Sequence, residues 1–227
     1  MVSILDNPVW TALTGPHAHF AERAGQAVRY RADVAPFTAV AEPAGEQAWA
    51  DLRALAGPGA VVVVAGGSAA PPEWEVVEEI SGVQLVDAGV AGAPSQAAER
   101  LAAADVPAMT ALVERTRPGP FLPRTIELGT YLGIRHGGAL VAMAGERLRL
   151  PGWTEISAVC TDPAFRGEGL ATALVRALVM GIRGRDERPF MHAAASNTAA
   201  IRLYESLGFR IRSRPTFTAL RVPPGTA

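Results

Sequence analysis

Val159-Cys160-Thr161-Asp162-Pro163-Ala164-Phe165-Arg166-Gly167-Glu168-Gly169-Leu170-Ala171 reads as the end of a β-strand, a tight glycine-rich turn and the first turn of an α-helix. The first backbone N–H groups of a helix have no partner inside it, and the helix dipole adds partial positive charge at the same end. Together they make an anion site suited to a pyrophosphate. Gly167 and Gly169 matter because a missing Cβ permits unusual backbone angles and close approach of a phosphate. Alone, such a turn is equally well read as a plain strand–turn–helix connection.

A second segment follows about thirty residues later: Met191-His192-Ala193-Ala194-Ala195-Ser196-Asn197-Thr198-Ala199-Ala200-Ile201-Arg202-Leu203-Tyr204-Glu205-Ser206-Leu207-Gly208-Phe209. In this order and spacing, the pair resembles the GNAT superfamily of acyl-CoA-dependent N-acyltransferases. Arg166-Gly167-Glu168-Gly169-Leu170-Ala171 is similar to its phosphate loop, and Asn197 to Phe209 to its Asn-x-x-Ala-x-x-Leu-Tyr-x-x-x-Gly-Phe signature. The resemblance covers roughly residues 105–222 and is greatest to the branch with glycine N-acyltransferase-like C-terminal domains.

That resemblance implies an α/β (α+β) fold: a mixed, splayed sheet flanked by helices, with acetyl-CoA or another acyl-CoA entering the splay. Backbone N–H groups of Arg166, Gly167, Glu168, Gly169, Leu170 and Ala171 are expected to cradle the pyrophosphate, with the Glu168 side chain turned to solvent. Backbone groups of Val159 and Thr161 would pair with the pantetheine arm as with an added strand. Asn197 would hydrogen-bond that arm; its plainer reading is a helix N-cap. Tyr204 is the expected acid for the departing thiolate; the competing reading is a core aromatic.

Direct transfer also requires a neutral amine, which calls for a base. Strand alternation puts Glu155, Ser157 and Val159 on one face, and Glu155 is the candidate base, against a salt-bridged Glu. His192, on the facing strand, is a second candidate or a substrate-binding group, against a hydrogen-bonded structural histidine. Phe121, Arg124, Glu146 and Trp153 are expected around the acceptor, with Arg124 suited to a carboxylate.

Bulk properties narrow the choice. The chain has 227 residues with 21 basic and 22 acidic side chains, which argues against nucleic acid as a partner. It contains no lysine, and Cys160 is its only cysteine, so no intramolecular disulfide is expected, nor a cysteine-based metal site. No apolar run approaches the ~20 residues of a membrane span, and no signal peptide is recognisable, so a cytoplasmic location is expected.

Two domains are expected: an α/β region over 1–104 and the acyltransferase domain over 105–227. In some relatives such an N-terminal segment is a degenerate second copy of the fold; an unrelated α/β cap is the alternative. Helices are expected over 8–30 (kinked near Thr14-Gly15-Pro16), 46–56, 105–116, 168–182 and 198–207. Strands are expected over 34–41, 61–65, 126–135, 139–146, 153–160, 190–194 and 216–222, with 73–90 split between a helix and a strand near 83–86. The leading functional expectation is an acetyltransferase acting on a small primary amine, with a protein amine as the other acceptor. A non-catalytic acyl-CoA-binding or regulatory module and a ligand-free structural domain are the competing ones. Monomer and homodimer both remain open.

Overall fold

The computed structural model describes residues 3–65 and 69–224. In chain order these form α1 (Pro8–Leu13), β1 (Ala21–Ala24), β2 (Ala27–Tyr30), β3 (Phe37–Val40), α2 (Glu46–Ala56), β4 (Val61–Ala65), β5 (Glu75–Asp87) and β6 (Glu99–Arg100). There follow α3 (Val106–Thr116), β7 (Tyr131–His136), β8 (Ala139–Leu150), β9 (Trp153–Thr161), α4 (Leu170–Arg183), β10 (Arg188–Ala194), α5 (Thr198–Leu207), β11 (Phe209–Ser213) and β12 (Thr216–Arg221). The architecture is the expected mixed α/β one, a single large sheet flanked by helices.

Several local expectations change. The helix expected over 8–30 stops at Leu13, and residues 21–30 form a hairpin instead. Its loop is Gly25-Gln26, with Gly25 at φ +47°, the backbone that a two-residue hairpin requires. Asp51 of α2 accepts the Gln26 N–H at 2.7 Å and pins that loop. Residues 75–87 are one continuous 13-residue strand, not a helix followed by a strand. Its outer half is exposed and its inner half buried, so no single hydrophobic period runs through it. Residues 125–128 are a 3-10 turn ahead of β7, and β11 was not anticipated.

The two ends of the chain build the sheet in the same order. β1, β2 and β3 form an antiparallel ladder, α2 follows, and β4 returns parallel to β3. β7, β8 and β9 form another, α4 follows, and β10 returns parallel to β9. Each set then takes its next strand from the other. β12 lies between β4 and the outer half of β5, while the inner half of β5 lies between β10 and β11. The sheet is therefore continuous across residue 104.

Helices α4 and α5 cover one face of the C-terminal strands. Leu174, Val175, Leu178 and Ile182 pack there on Val83, Leu85, Ile156 and Met191. On the opposite face, α1 and the first strands pack on Val86, Leu148, Leu150 and Phe190. Near it, α3 packs Met109 and Leu112 against Tyr131 and Met143. Burial on this scale, at about 25 cal/mol per Å² of apolar surface, dominates the stabilisation.

The exchange of strands makes each half structurally incomplete. Residues 105–227 expressed alone are expected to be unfolded or aggregated, because β10 loses β5 and exposes an unpaired edge. Co-expression with residues 1–104 should restore a cooperative thermal transition. A folded 105–227 fragment with a cooperative melt would contradict this.

Candidate active site

The parallel pairing of β9 with β10 runs from Trp153–Arg188 to Ile156–Met191 and stops, although both strands continue. Beyond that point β10 keeps its partners on the other edge, where Ala193 pairs with Val83 and Ala194 with Gly82 of β5. β9 keeps β8, but with a bulge: Met143 faces Cys160 while Gly145 faces Ser157, so β9 carries an extra residue between them. Ala158 sits in this bulge at φ +52°, a conformation costly for a residue with a Cβ. A bulge bends its strand and takes a residue out of the ladder. Here it turns β9 away from β10, opening the splay expected between the strand ends.

The glycine-rich turn lies at the mouth of this splay. Gly167 and Gly169 have φ +86° and +78°, and a Cβ at either would meet no atom within 4 Å. Gly169 is the N-cap of α4, so the first N–H groups of that helix point out of the turn. A cleft of about 450 Å³ opens there, lined by Thr161, Arg166, Gly167, Gly169, Leu170 and Ala171, with Ala200 and Leu203 of α5 opposite. Arg166 leans back on the Thr161 carbonyl at 3.4 Å, and its backbone N–H, expected among the cradle donors, is instead taken by the Pro163 carbonyl at 3.5 Å. The Glu168 side chain is exposed and is not among the cleft residues, whereas Val159 packs against the α4 core. The cleft offers unpaired N–H groups, one guanidinium and apolar walls, a set that fits the pyrophosphate and pantetheine arm of an acyl-CoA.

The corresponding turn in the N-terminal half lacks these features. Gly45 caps α2 at φ −90°, and Glu46 opens the helix, so neither the backbone nor the charge favours a phosphate.

Asn197 caps α5, its side chain accepting the Ala200 N–H at 3.2 Å. Tyr204 is buried beside the splay strands, packing edge-on to Phe209. Burial, with Cys160 close by, pushes its phenol up to about 12, so it is a donor at neutral pH. Burial likewise raises the Cys160 thiol, which keeps it protonated and a poor nucleophile.

Glu155 and His192 come together on the face away from α4 and α5. His192 Nδ1 and Glu155 Oε1 are 2.7 Å apart. Arg147 holds the same carboxylate with two bonds of 2.9 and 2.6 Å. Burial works to raise the Glu155 pKa, but the Arg147 charge and hydrogen bonds, with those of His192, outweigh it and hold it at about 2. Gln84 Oε1 accepts from Arg212 at 2.8 Å, so its amide N–H groups donate to the Leu5 carbonyl at 2.8 Å and to His192 Nε2 at 3.0 Å. This fixes the histidine tautomer with its proton on Nδ1, facing Glu155.

The remaining expected residues are spread out. Phe121 packs edge-on to Tyr131 near the splay. Arg124 binds Glu127 at 2.7 Å and Asp33 at 3.2 Å, tying the loop before β7 to the N-terminal half. Trp153 is at the other end of β9 from Cys160, stacked under Arg188 at 4.4 Å. Glu146 is ion-paired with Arg185. Arg147, Gln84 and Tyr131 were missed by sequence reasoning. Gln84 carried a signal, as the one polar residue in the apolar run Val83–Val86; Arg147 alternates with leucines in β8, and nothing marked Tyr131.

Among the described residues no cluster of His, Cys, Asp and Glu could hold a metal ion, and no helix is long and apolar enough to cross a membrane.

Comparison with known proteins matches these features. A family model described as FR47-like protein matches residues 131–218. The crystal structure of a GNAT-family protein from Novosphingobium aromaticivorans superposes with a TM-score of 0.88 at 38% identity, covering 99% of this chain and 100% of that one. N-alpha-acetyltransferase RimI of Mycobacterium tuberculosis is 39% identical over 83 residues, 35% of this chain and 51% of that protein. Mycothiol acetyltransferase of Thermobispora bispora is 45% identical over 56 residues, 24% of this chain and 19% of that protein. The chain thus matches about half or less of the length of these two curated relatives.

Glu155→Gln should cost about 3–5 kcal/mol by leaving Arg147 buried without its counter-charge. Because the folded pKa lies below the ordinary 4.5, the stabilisation is complete above 4.5 and is lost as pH falls towards about 2. Thermal melts should show the gap between wild type and Glu155→Gln narrowing over that window. A gap independent of pH would mean the carboxylate is not held ionised.

Proposed function

The chain belongs to the GNAT family of acetyltransferases, and we propose that it transfers an acetyl group from acetyl-CoA directly to a primary amine of a small molecule. The observation that carries this reading is the coincidence of the cleft, the glycine turn at the head of α4 and the splay of β9 from β10. The first N–H groups of α4, those of the turn and the Arg166 guanidinium would hold the pyrophosphate. Val159 and Thr161 would present backbone groups to the pantetheine arm, and Asn197 would place α5 alongside it. The thioester then lies in the splay, near the bulge at Ala158.

Attack by the amine lone pair on the thioester carbon forms the N–C bond and breaks C–S. The departing thiolate takes the Tyr204 proton, which a phenol held at about 12 still carries at neutral pH, and solvent then reprotonates the phenol. The amine must lose its own proton. Glu155, held at about 2 with both oxygens bonded, is a weak base as it stands. We assign it, with Arg147, to orienting His192 on the acceptor wall, and let the amine lose its proton to water. A small acceptor is favoured because the N-terminal half packs over this face, through Leu5, Tyr30 and Phe37. The likeness to N-alpha-acetyltransferase RimI makes a protein N-terminal amine the second reading.

We further propose that residues 1–104 are a degenerate copy of the fold in 105–227. The matching strand order and the reciprocal exchange of strands support this.

Calorimetric titration should show micromolar acetyl-CoA binding that is abolished in Gly169→Glu, where bulk and negative charge enter the cradle. Loss of the cradle reading follows if both proteins bind alike. Tyr204→Phe should lower kcat at least about tenfold with little change in acetyl-CoA affinity. An equal loss of affinity would make Tyr204 a packing residue. With amines of different pKa, the acidic limb of kcat/KM should move with the amine. A limb fixed at one pH and removed by Glu155→Gln would return the base role to Glu155.

A further inference from the structure

The Tyr131 hydroxyl is buried and, among the described residues, has no hydrogen-bond partner. Its side chain is one of the largest in the fully buried set, with 1% exposure. A buried polar group without a partner costs free energy, and native proteins keep few of them. Those that persist call for a partner supplied from elsewhere.

The position of this hydroxyl says which partner. Tyr131 faces Gly145 across β7 and β8, and Gly145 faces Ser157 across β8 and β9. A Cβ on Gly145 would lie 2.2 Å from a Tyr131 ring atom. The ring therefore occupies the space of the absent side chain and leans across β8 towards Ser157. Ser157 follows Ile156, the last β9 residue paired with β10, so the ring is aimed at the point where the splay begins. Ala158, the strained residue of the bulge, packs in the same cluster. Glu155, Ser157 and Tyr131 share the face opposite α4, the cofactor helix. The hydroxyl thus lies on the side of the splay opposite the pyrophosphate cradle, the side this reading gives to the acceptor.

Burial raises the Tyr131 phenol well above its ordinary value. It stays protonated and is no base. Its oxygen has lone pairs to accept a hydrogen bond. The Tyr30 hydroxyl, by contrast, is already bonded to His17 at 2.8 Å.

We infer that Tyr131 is the acceptor-contacting residue of the site: its phenol oxygen accepts one N–H of the neutral primary amine and so aims the amine lone pair at the thioester carbon. This rests on the acetyltransferase reading and adds to it the group that orients the acceptor. Tyr131 neither gains nor loses a proton. The N–C bond forms, the C–S bond breaks, the thiolate takes the Tyr204 proton, the surplus amine proton goes to water and Tyr204 regains a proton from solvent. Gly145 belongs to the device, because any side chain there would displace the ring.

The chain has three tyrosines, Tyr30, Tyr131 and Tyr204, so labelling tyrosine with carbon-13 at Cζ gives three resonances, assignable by Tyr→Phe substitution. CoA alone should move the Tyr204 signal. CoA with glycinamide as the amine probe should then move the Tyr131 signal and leave Tyr30 in place. Tyr131→Phe should melt no lower than wild type, since it removes a hydroxyl without a protein partner, and should bind acetyl-CoA equally well. Its KM for the amine should rise about tenfold, the loss of one buried hydrogen bond, and Gly145→Ala should act in the same direction. Acetylation of glycinamide with a motionless Tyr131 signal and unchanged KM in Tyr131→Phe would overturn the inference while leaving the function intact. Acetyl-CoA binding with neither acetylation nor any movement of Tyr131 would overturn both. A clear fall in the melting temperature of Tyr131→Phe with normal amine kinetics would make the hydroxyl structural.

Discussion

The site depends on β10 having a partner other than β9. A strand that leaves one neighbour in the middle of a sheet keeps its place when its other edge stays paired. The inner half of β5 supplies that pairing, along β10 from Phe190 to Ala194. That support holds β10 in the sheet while β9 bends away at its bulge, so a cleft opens between two strands whose facing backbone groups no longer pair with each other. Because β5 comes from the first part of the chain, residues far from the motifs hold the strand that flanks the cleft, while the N-terminal elements pack on the opposite face of the sheet.

The sheet separates the chemistry into two sides. On one, α4 and α5 bring the glycine turn, Asn197 and Tyr204, a set made of backbone donors, short side chains and one phenol. On the other, Arg147, Glu155, His192, Gln84 and Arg212 form a buried chain of charge-assisted and neutral hydrogen bonds. Every polar group in that chain has a partner, which is what a low-dielectric interior requires. It therefore reads as a fixed wall. The Tyr131 hydroxyl on the same face is the exception, and in our proposal the acceptor amine completes its bonding.

Some of this was legible in the residues and some was not, for reasons that differ by element. Helix α2 and strand β4 lie where expected, because Gly57-Pro58-Gly59 and a β-branched run are local signals. The hairpin at 21–30 was hidden by an alanine-rich stretch with good helix propensity, which packing against α1 and α2 overrode. Strand β5 was hidden because its outer half is exposed and its inner half buried, so it shows neither period. Glu155 and His192 were both singled out, but their contact was not, since they lie 37 positions apart. Arg147, which decides the protonation of Glu155, looks in sequence like an ordinary surface charge in a strand.

The sequence by itself determined the proposed cofactor side: the turn at Arg166–Gly169 and the segment from Asn197 to Phe209 are short-range motifs whose backbone geometry follows from glycines, a cap and helical spacing. Tertiary structure alone decided the proposed acceptor side and the relation between the halves. Both depend on strand partners far apart in the chain. Pairing of β5 with β10 and of β12 with β4 is chosen by which edges are left open after the local ladders have formed, and no local period records that choice.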